Sequence, residues 1–566
     1  MILDLCQNSK LESQVFDTLR KISLNKIGEF NDLIGNVSET QSNNVDWWIE
    51  QPASRNIHQS PLFYRFCCIH LIIELINSGT NIEKIIVDSA ALSGIIKKLK
   101  EKQNLNFEIY GPTEELPRFP NYIWKSIKPF FKMWKKKRAQ FRAAIKTKNL
   151  TTEPPKIPLT LIDQFVFPKF ITKERYYNGL WDSLSPEQQQ KTFFVPTLVM
   201  MGDDEFEAAY HELRTSKKNF LIKEDYLTSS DLIFSLLHLF RVWFIKLPFQ
   251  DVLGVNFSTL IREELISGVG HFSAFEGLLN YRFAKRLKEK LFNLFLVIDW
   301  WEGQPMDKGW NLGFHTYFPE TTLKGYLGYA PRTIELQLRP SESEIRYGAA
   351  PAIIATIGEK FSCEMNSTKP SFRAETAPAF RFGHLWETRV EKKSDYGSYR
   401  ILMALSFDWS ESVDILEQVI DSGLVESEEL NFILQPHPTV KLDTLKNCLG
   451  NKWPSRFQEG EQPTPEEIRQ SDLLITGISS IGLEAIVMGI PVIVVERMTG
   501  LAYDPIPESV PKVLWWNCRS PEGISKAIKS FRGRSPEEIR KHRAMSADIK
   551  DYYFEPITIK GVYKFL

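Results

Sequence analysis

Between Arg400 and Glu496, apolar runs and helical stretches alternate so regularly that few folds can accommodate them. RILMALSF, LNFILQ, DLLITG and PVIVVE read as strands, and ESVDILEQVIDSG, TPEEIRQ and SSIGLEAIVMG carry helical spacing. Strands separated by helices run parallel, because each helix returns the chain to the edge it left. The segment therefore predicts a Rossmann-like sheet whose ligand edge is formed by the C-terminal ends of its strands.

A chain of 566 residues exceeds what one core can bury, so at least two domains are expected. Upstream, residues 81–112 (NIEKIIVDSAALSGIIKKLKEKQNLNFEIYGP) read as strand, helix, strand. FFVPTLVMM at 193–201 and FNLFLVID at 292–299 add buried-strand candidates. The charged, Gly/Ser-containing stretch ETRVEKKSDYGS sets a boundary near residue 390. The expected organisation is α/β: a Rossmann-like acceptor domain over 1–390, a Rossmann-like nucleotide domain over 391–550, and a tail over 551–566 packing back on the first.

The 70 basic residues balance the 70 acidic ones, so no global charge draws the chain to nucleic acid. Six cysteines without a CxxC pair suggest neither a disulfide framework nor a zinc site, and fit a reducing cytoplasm. The first residues lack a secretory pattern, and no apolar run approaches the roughly 18–20 residues of a membrane span. A cytoplasmic chain is expected.

One local stretch departs from this balance. From Arg118 to Thr152 there is no acidic residue, and Trp124, Phe130, Phe131, Met133 and Trp134 are set among many lysines and arginines. That pattern describes a solvated basic helix, a helix lying in an anionic membrane interface, or a nucleic-acid strip.

Two strand tips carry the chemistry. Pro436-His437-Pro438 follows the strand LNFILQ, and Pro438 stops the ladder so that His437 is presented at the sheet edge, where an imidazole can meet a phosphate oxygen or carry a proton. Gly477 lets the chain turn after DLLIT, which leaves Ser479 and Ser480 at the start of the next helix, a seat for phosphate. Capping alone explains one of the two serines. Glu484 lies one turn on from Ser480 and can accept from a ribose, or else serve as a surface carboxylate. A nucleotide phosphate is the expected ligand.

These features resemble the GT-B glycosyltransferases of bacterial surface polysaccharides, in particular polysialyltransferases and capsule Kdo transferases, and more distantly CDP-glycerol glycerophosphotransferases. The resemblance implies a GT-B-like fold with two Rossmann-like domains facing a cleft, and a nucleotide held by His437, Pro438, Gly477, Ser479, Ser480 and Glu484. Separately, DWWIEQPASRNIHQSPLF (46–63) and DWWEGQPMDKGWNLGFHTYFPETTLKGYLGY (299–329) resemble segments of bacterial surface carbohydrate biosynthesis proteins.

In the polysialyltransferase-like enzymes an acidic pair followed by glycine supplies the general base. Here the resemblance offers Glu302-Gly303 with Asp299 three residues earlier, and leaves open which carboxylate is the base. On the acceptor side the candidates are Arg55, Gly270 and His271, with salt bridges and a plain turn as the ordinary alternatives. Asp203-Asp204 reads as helix capping.

The resemblance thus implies a metal-independent glycosyltransferase with no cofactor beyond a nucleotide-sugar donor, expected to be CMP-linked and to carry Kdo or a nonulosonic acid. The implied partners are that donor, a glycan or lipid-linked acceptor, and the inner-membrane surface through 118–152, without nucleic acid. The rival readings are a CDP-glycerol-type polyol-phosphate transferase, a non-catalytic assembly protein, and a sugar 2-epimerase, which should carry a glycine pair after its serine where this chain has Ile481.

Overall fold

Five of the eight residues of LTLIDQFV at 159–166 are apolar, and the strand they form is buried along its whole length between parallel neighbours. The computed structural model describes residues 1–112, 119–150, 154–172, 174–267, 271–367, 371–387, 398–437, 440–462, 464–501 and 504–566. Pro438, Gly270 and most of the linker around residue 390 lie outside these, as does the side chain of His271, whose backbone begins the helix His271–Glu289. The chain packs as two units, one of Met1–Ser9, Asp17–Arg381 and Ile557–Leu566, the other of Lys10–Phe16 and Phe382–Pro556.

The first unit holds two parallel sheets. A small one joins β1 (Ile2–Asp4), β2 (Lys84–Ile86) and β3 (Glu108–Tyr110). The strand-helix-strand pattern of 81–112 thus forms as expected, with its partner strand at Ile2–Asp4 rather than in the main sheet. The main sheet draws on β4 (Leu159–Val166), β5 (Thr192–Leu198), β8 (Leu294–Trp300), β9 (Thr322–Leu327), β10 (Ile353–Thr356) and β11 (Arg373–Thr376). β6 (Asp251–Val252) and β7 (Val255–Asn256) make a short antiparallel ribbon apart from it. The order is β11-β10-β9-β8-β4-β5, all parallel, so the chain leaves β4 on one side for β5 and returns on the other side as β8.

The second unit contains β12 (Tyr399–Ala404), β13 (Leu430–Gln435), β14 (Gln458–Glu459), β15 (Leu473–Thr476), β16 (Val492–Val495) and β17 (Trp515–Cys518). Their order, β14-β13-β12-β15-β16-β17, is the 3-2-1-4-5-6 order of the dinucleotide-binding sheet. Ile401, Met403, Phe432, Leu434, Ile475 and Ile493 project from its strands into one apolar cluster closed by Ile415, Val419 and Phe531 of flanking helices. The chain is therefore α/β with two parallel six-stranded sheets.

Polar groups buried in the first unit also shape its response to pH. His238 is fully buried, with Nδ1 2.6 Å from Asp46 Oδ1 and Nε2 2.6 Å from Glu50 Oε1. Burial alone would depress the imidazole pKa, but the hydrogen bonds to Asp46 and Glu50 outweigh it and raise the pKa to about 9. A group whose folded pKa is raised lends stability that is complete below its unfolded pKa, about 6.5, and is lost as pH climbs through the folded value. The denaturation midpoint is therefore expected to fall between pH 6.5 and 9.5, with His238 accounting for a loss on the order of 3 kcal/mol. Denaturant titrations at both pH values check this, and an equally steep fall in His238→Gln would assign the dependence to other groups.

Candidate active site

In an open parallel sheet the ligand crevice lies where neighbouring strands send their connections to opposite sides, at the C-terminal ends. In the second unit that point falls between β12 and β15. Asp408, just past β12, caps the helix Trp409–Asp421 by accepting from the Ser410 and Glu411 amides at 2.9 and 3.3 Å, and its other oxygen takes Arg497 Nη1 at 2.5 Å. Glu411 is buried and its Oε1 accepts the Ile478 amide at 2.9 Å, tying the turn after β15 to the helix after β12. A Cβ at Gly477 would overlap that carboxylate and displace it from the Ile478 amide.

The turn presents Ser479 and Ser480, both half-buried. Ser479 Oγ accepts the Ile481 amide at 3.4 Å, while Ser480 occupies the cap position of the helix Ile481–Val487 without a side-chain capping bond. The Ser479 hydroxyl thus meets the helix start, while that of Ser480 has no hydrogen-bond partner among the described residues. His437 follows β13, half-buried, with its ring 6.2 Å from that of Phe407 beyond β12 and its carbonyl accepting the Val440 amide at 2.8 Å. His437 and the two serines therefore share the C-terminal edge of one sheet. Glu484, half-buried, has Oε2 3.2 Å from Nε2 of His384.

In the first unit the corresponding point lies between β4 and β8, and Glu302 stands just past β8. Its carboxylate accepts from Trp300 Nε1 at 2.8 Å and Gln304 Nε2 at 2.6 Å while staying half-buried. Gly303 follows at φ 66°, where a Cβ would overlap the Gln337 carbonyl oxygen. Asp307 accepts the amides of Glu302 and Gln304, each at 2.9 Å, and so sets the turn that aims Glu302.

Asp299 is different in kind. It is buried, with Oδ2 accepting from Asn311 Nδ2 at 2.6 Å and Oδ1 lacking a hydrogen-bond partner among the described residues. Burial, reinforced by Asp307 and Asp163, holds its pKa well above the carboxylate range. Asp163, in β4, is buried too, and its pKa is pushed up to about 7 mainly by burial, against the pull of Lys223. Lys223 donates to Thr197 Oγ1 at 2.8 Å and Asn280 Oδ1 at 2.7 Å.

Arg175 and Tyr176, on the loop after β4, complete the surroundings of Glu302: the Tyr176 ring lies 4.4 Å from Trp300, and the charges of Arg175 and Glu302 both act on the Tyr176 hydroxyl, whose pKa burial raises to about 12. Arg381 acts on the same group. Sequence reasoning missed Arg175, Tyr176 and Asp163 because it did not read LTLIDQFV as a strand; the missed signal was its β-rich composition ahead of the aromatic loop.

Arg55 stands apart from this group. It is buried, donating to Asn31 Oδ1 at 2.6 Å, the Arg339 carbonyl at 3.0 Å and Glu344 Oε2 at 2.5 Å. It lines a cavity of about 1000 Å³ with Asn31, Glu39, Arg339 and Arg346, and no lining residue directly follows β4, β5 or β8. Among the described residues no group of three or more His, Cys, Asp or Glu side chains is arranged to hold a metal ion.

No family model matches the chain, and no curated protein does. Solved structures similar to it include the MnaA–UDP complex of S. aureus, with a TM-score of 0.43, 11% identity, and coverage of 72% of this chain and 95% of that one. MurG of Acinetobacter baumannii has a TM-score of 0.36 at 11% identity, covering 72% and 99%. The UDP-GlcNAc 2-epimerase of Neisseria meningitidis, solved with UDP-GlcNAc, has a TM-score of 0.40 at 12% identity, covering 72% and 98%.

Proposed function

We propose that the chain is a GT-B-type glycosyltransferase that moves a sugar from a nucleotide donor to a surface glycan or lipid-linked acceptor, without a catalytic metal. The observation that carries this reading is chemistry at both topological switch points: the Gly477–Ser480 turn with His437 on the second sheet, and Glu302 on the first. His437 and the spare hydroxyl of Ser480 suit the phosphates of the donor, where they would stabilise the charge of the leaving nucleotide. Glu302 suits the general base, since its carboxylate is oriented by two hydrogen bonds yet not sealed off. Asp299, buried and with its pKa pushed up by burial and by the neighbouring Asp307 and Asp163, suits a supporting role beneath it.

The donor on this reading is CMP-linked, carrying Kdo or a nonulosonic acid, and residues 118–152 meet the inner membrane. A thermal-shift series with CMP, CDP, UDP, GDP and ADP tests the nucleotide, because a ligand that binds only the folded chain raises its melting temperature by mass action. The expected result is a shift with CMP that is lost in His437→Ala. A shift with UDP or GDP alone would replace the donor, and no shift with any nucleotide would remove the transferase reading.

A further inference from the structure

The basic segment forms one long helix, Phe119–Thr147, and its inward face is fully engaged. Tyr122, Ser126, Phe130, Met133, Lys137, Gln140 and Ala144 are buried at spacings of three and four. Tyr122 donates to the Leu239 carbonyl at 3.0 Å, and Lys137 pairs with buried Glu276. The apolar residues on the outward face are a separate set. Trp124, Ile127, Phe131 and Trp134 fall on one stripe, with Trp124 81% and Phe131 61% exposed. Lys125, Lys128, Lys132 and Lys135 flank it, all exposed, and none has an ion-pair partner among the described residues.

A second outward stripe lies beside the first, where the sequence drew no attention. The helices Ser229–Leu236 and His238–Trp243 expose Ile233, Leu237, Phe240 and Phe244 at helical spacing, with Phe244 69% exposed. Phe119, at the start of the long helix, sets its ring 6.5 Å from Phe240 and 6.0 Å from Phe244, so the helix that carries the first stripe packs against the segment that carries the second. Between residues 232 and 250 there is again no acidic residue.

We infer that these two stripes form a single docking face for an anionic lipid bilayer. Aromatic and aliphatic groups seat at the headgroup boundary while the surrounding lysines meet anionic headgroups. Nucleic acid would use the cations and the aromatic rings but has no place for Ile127, Ile233 and Leu237, and an acid-free face repels basic partners. The inference extends the membrane contact of the proposed function and rests on none of its chemistry, so the nucleotide test and this one fail separately.

The test is co-sedimentation of the purified full chain with phosphatidylcholine vesicles, with and without phosphatidylglycerol. Binding is expected only with phosphatidylglycerol, and should weaken between about 0.1 M and about 1 M salt as the Debye length falls from roughly 10 to 3 Å. Trp124→Ser with Phe131→Ser, and independently Phe240→Ser with Phe244→Ser, should each weaken partitioning about tenfold or more, while Leu291→Ser, an exposed apolar site elsewhere, should not. No partitioning into anionic vesicles, equal partitioning of all variants, or retention by a nucleic-acid duplex in place of vesicles would each overturn the inference.

Discussion

Glu302→Gln is expected to lower turnover by about 10²- to 10⁴-fold while the nucleotide-induced thermal shift stays as in the unmodified chain. The amide keeps a carbonyl to accept from Trp300 Nε1 or Gln304 Nε2, so the turn set by Asp307 should survive and the change falls on proton transfer. Asp299 is not placed to take over, since its carboxyl is sealed in the protein at 1% exposure and one of its oxygens is held by Asn311. Steady-state rates with the donor identified by thermal shift check this. Full activity in Glu302→Gln would remove the base assignment, and loss of nucleotide binding would show that the substitution disturbs more than the proton.

Glu344→Ala should give the largest loss of stability. Glu344 is buried between two cations, Arg55 at 2.5 Å and Lys308, and the latter is fully buried with its ammonium 5.1 Å from the centre of the Trp301 ring. Removing the carboxylate leaves both charges unpaired in the interior, which costs about 3–5 kcal/mol, a large part of the 5–15 kcal/mol typical of a folded domain. Two residues away, Glu342 pairs with Arg346 in full solvent, and Glu342→Ala should leave the denaturation midpoint unchanged. Equal midpoints for the two variants would refute the argument from burial.

How far the sequence foretold this molecule depends on how local the signal was. In the second unit every strand from β12 to β16 except the two-residue β14 was legible, because each is an apolar run bounded by turn residues. β17 was not, since WWNC resembles a loop until β16 pairs with it. The first unit hid more. β4 carries Thr160, Asp163 and Gln164 in its interior, polar residues that break the apolar pattern; Lys223 and Thr197 answer Asp163, and Gln164 donates to Glu174 in the loop that follows. Polar partners supplied from outside the strand leave no trace within it, and with the strand unread the loop after it, carrying Arg175 and Tyr176, was missed as well. Arg55 shows the converse: the sequence marks an arginine beside a recognisable motif, and only packing reveals its bond to Glu344.

The chain passes between its two units four times, and this governs how it can be made. Phe16, completely buried, belongs with the second unit, which after Lys10–Phe16 resumes only at Phe382. Phe565 packs its ring 5.3 Å from both Tyr326 and Phe380 in the first. As the ribosome delivers residues in order, the first unit lacks its closing segment until Ile557–Leu566 has emerged, after the whole second unit has been synthesised. Neither half can therefore be sealed early. During translation a nearly complete first unit waits with the Tyr326–Phe380 surface uncovered, which makes this the stretch of its life when a chaperone has most to offer.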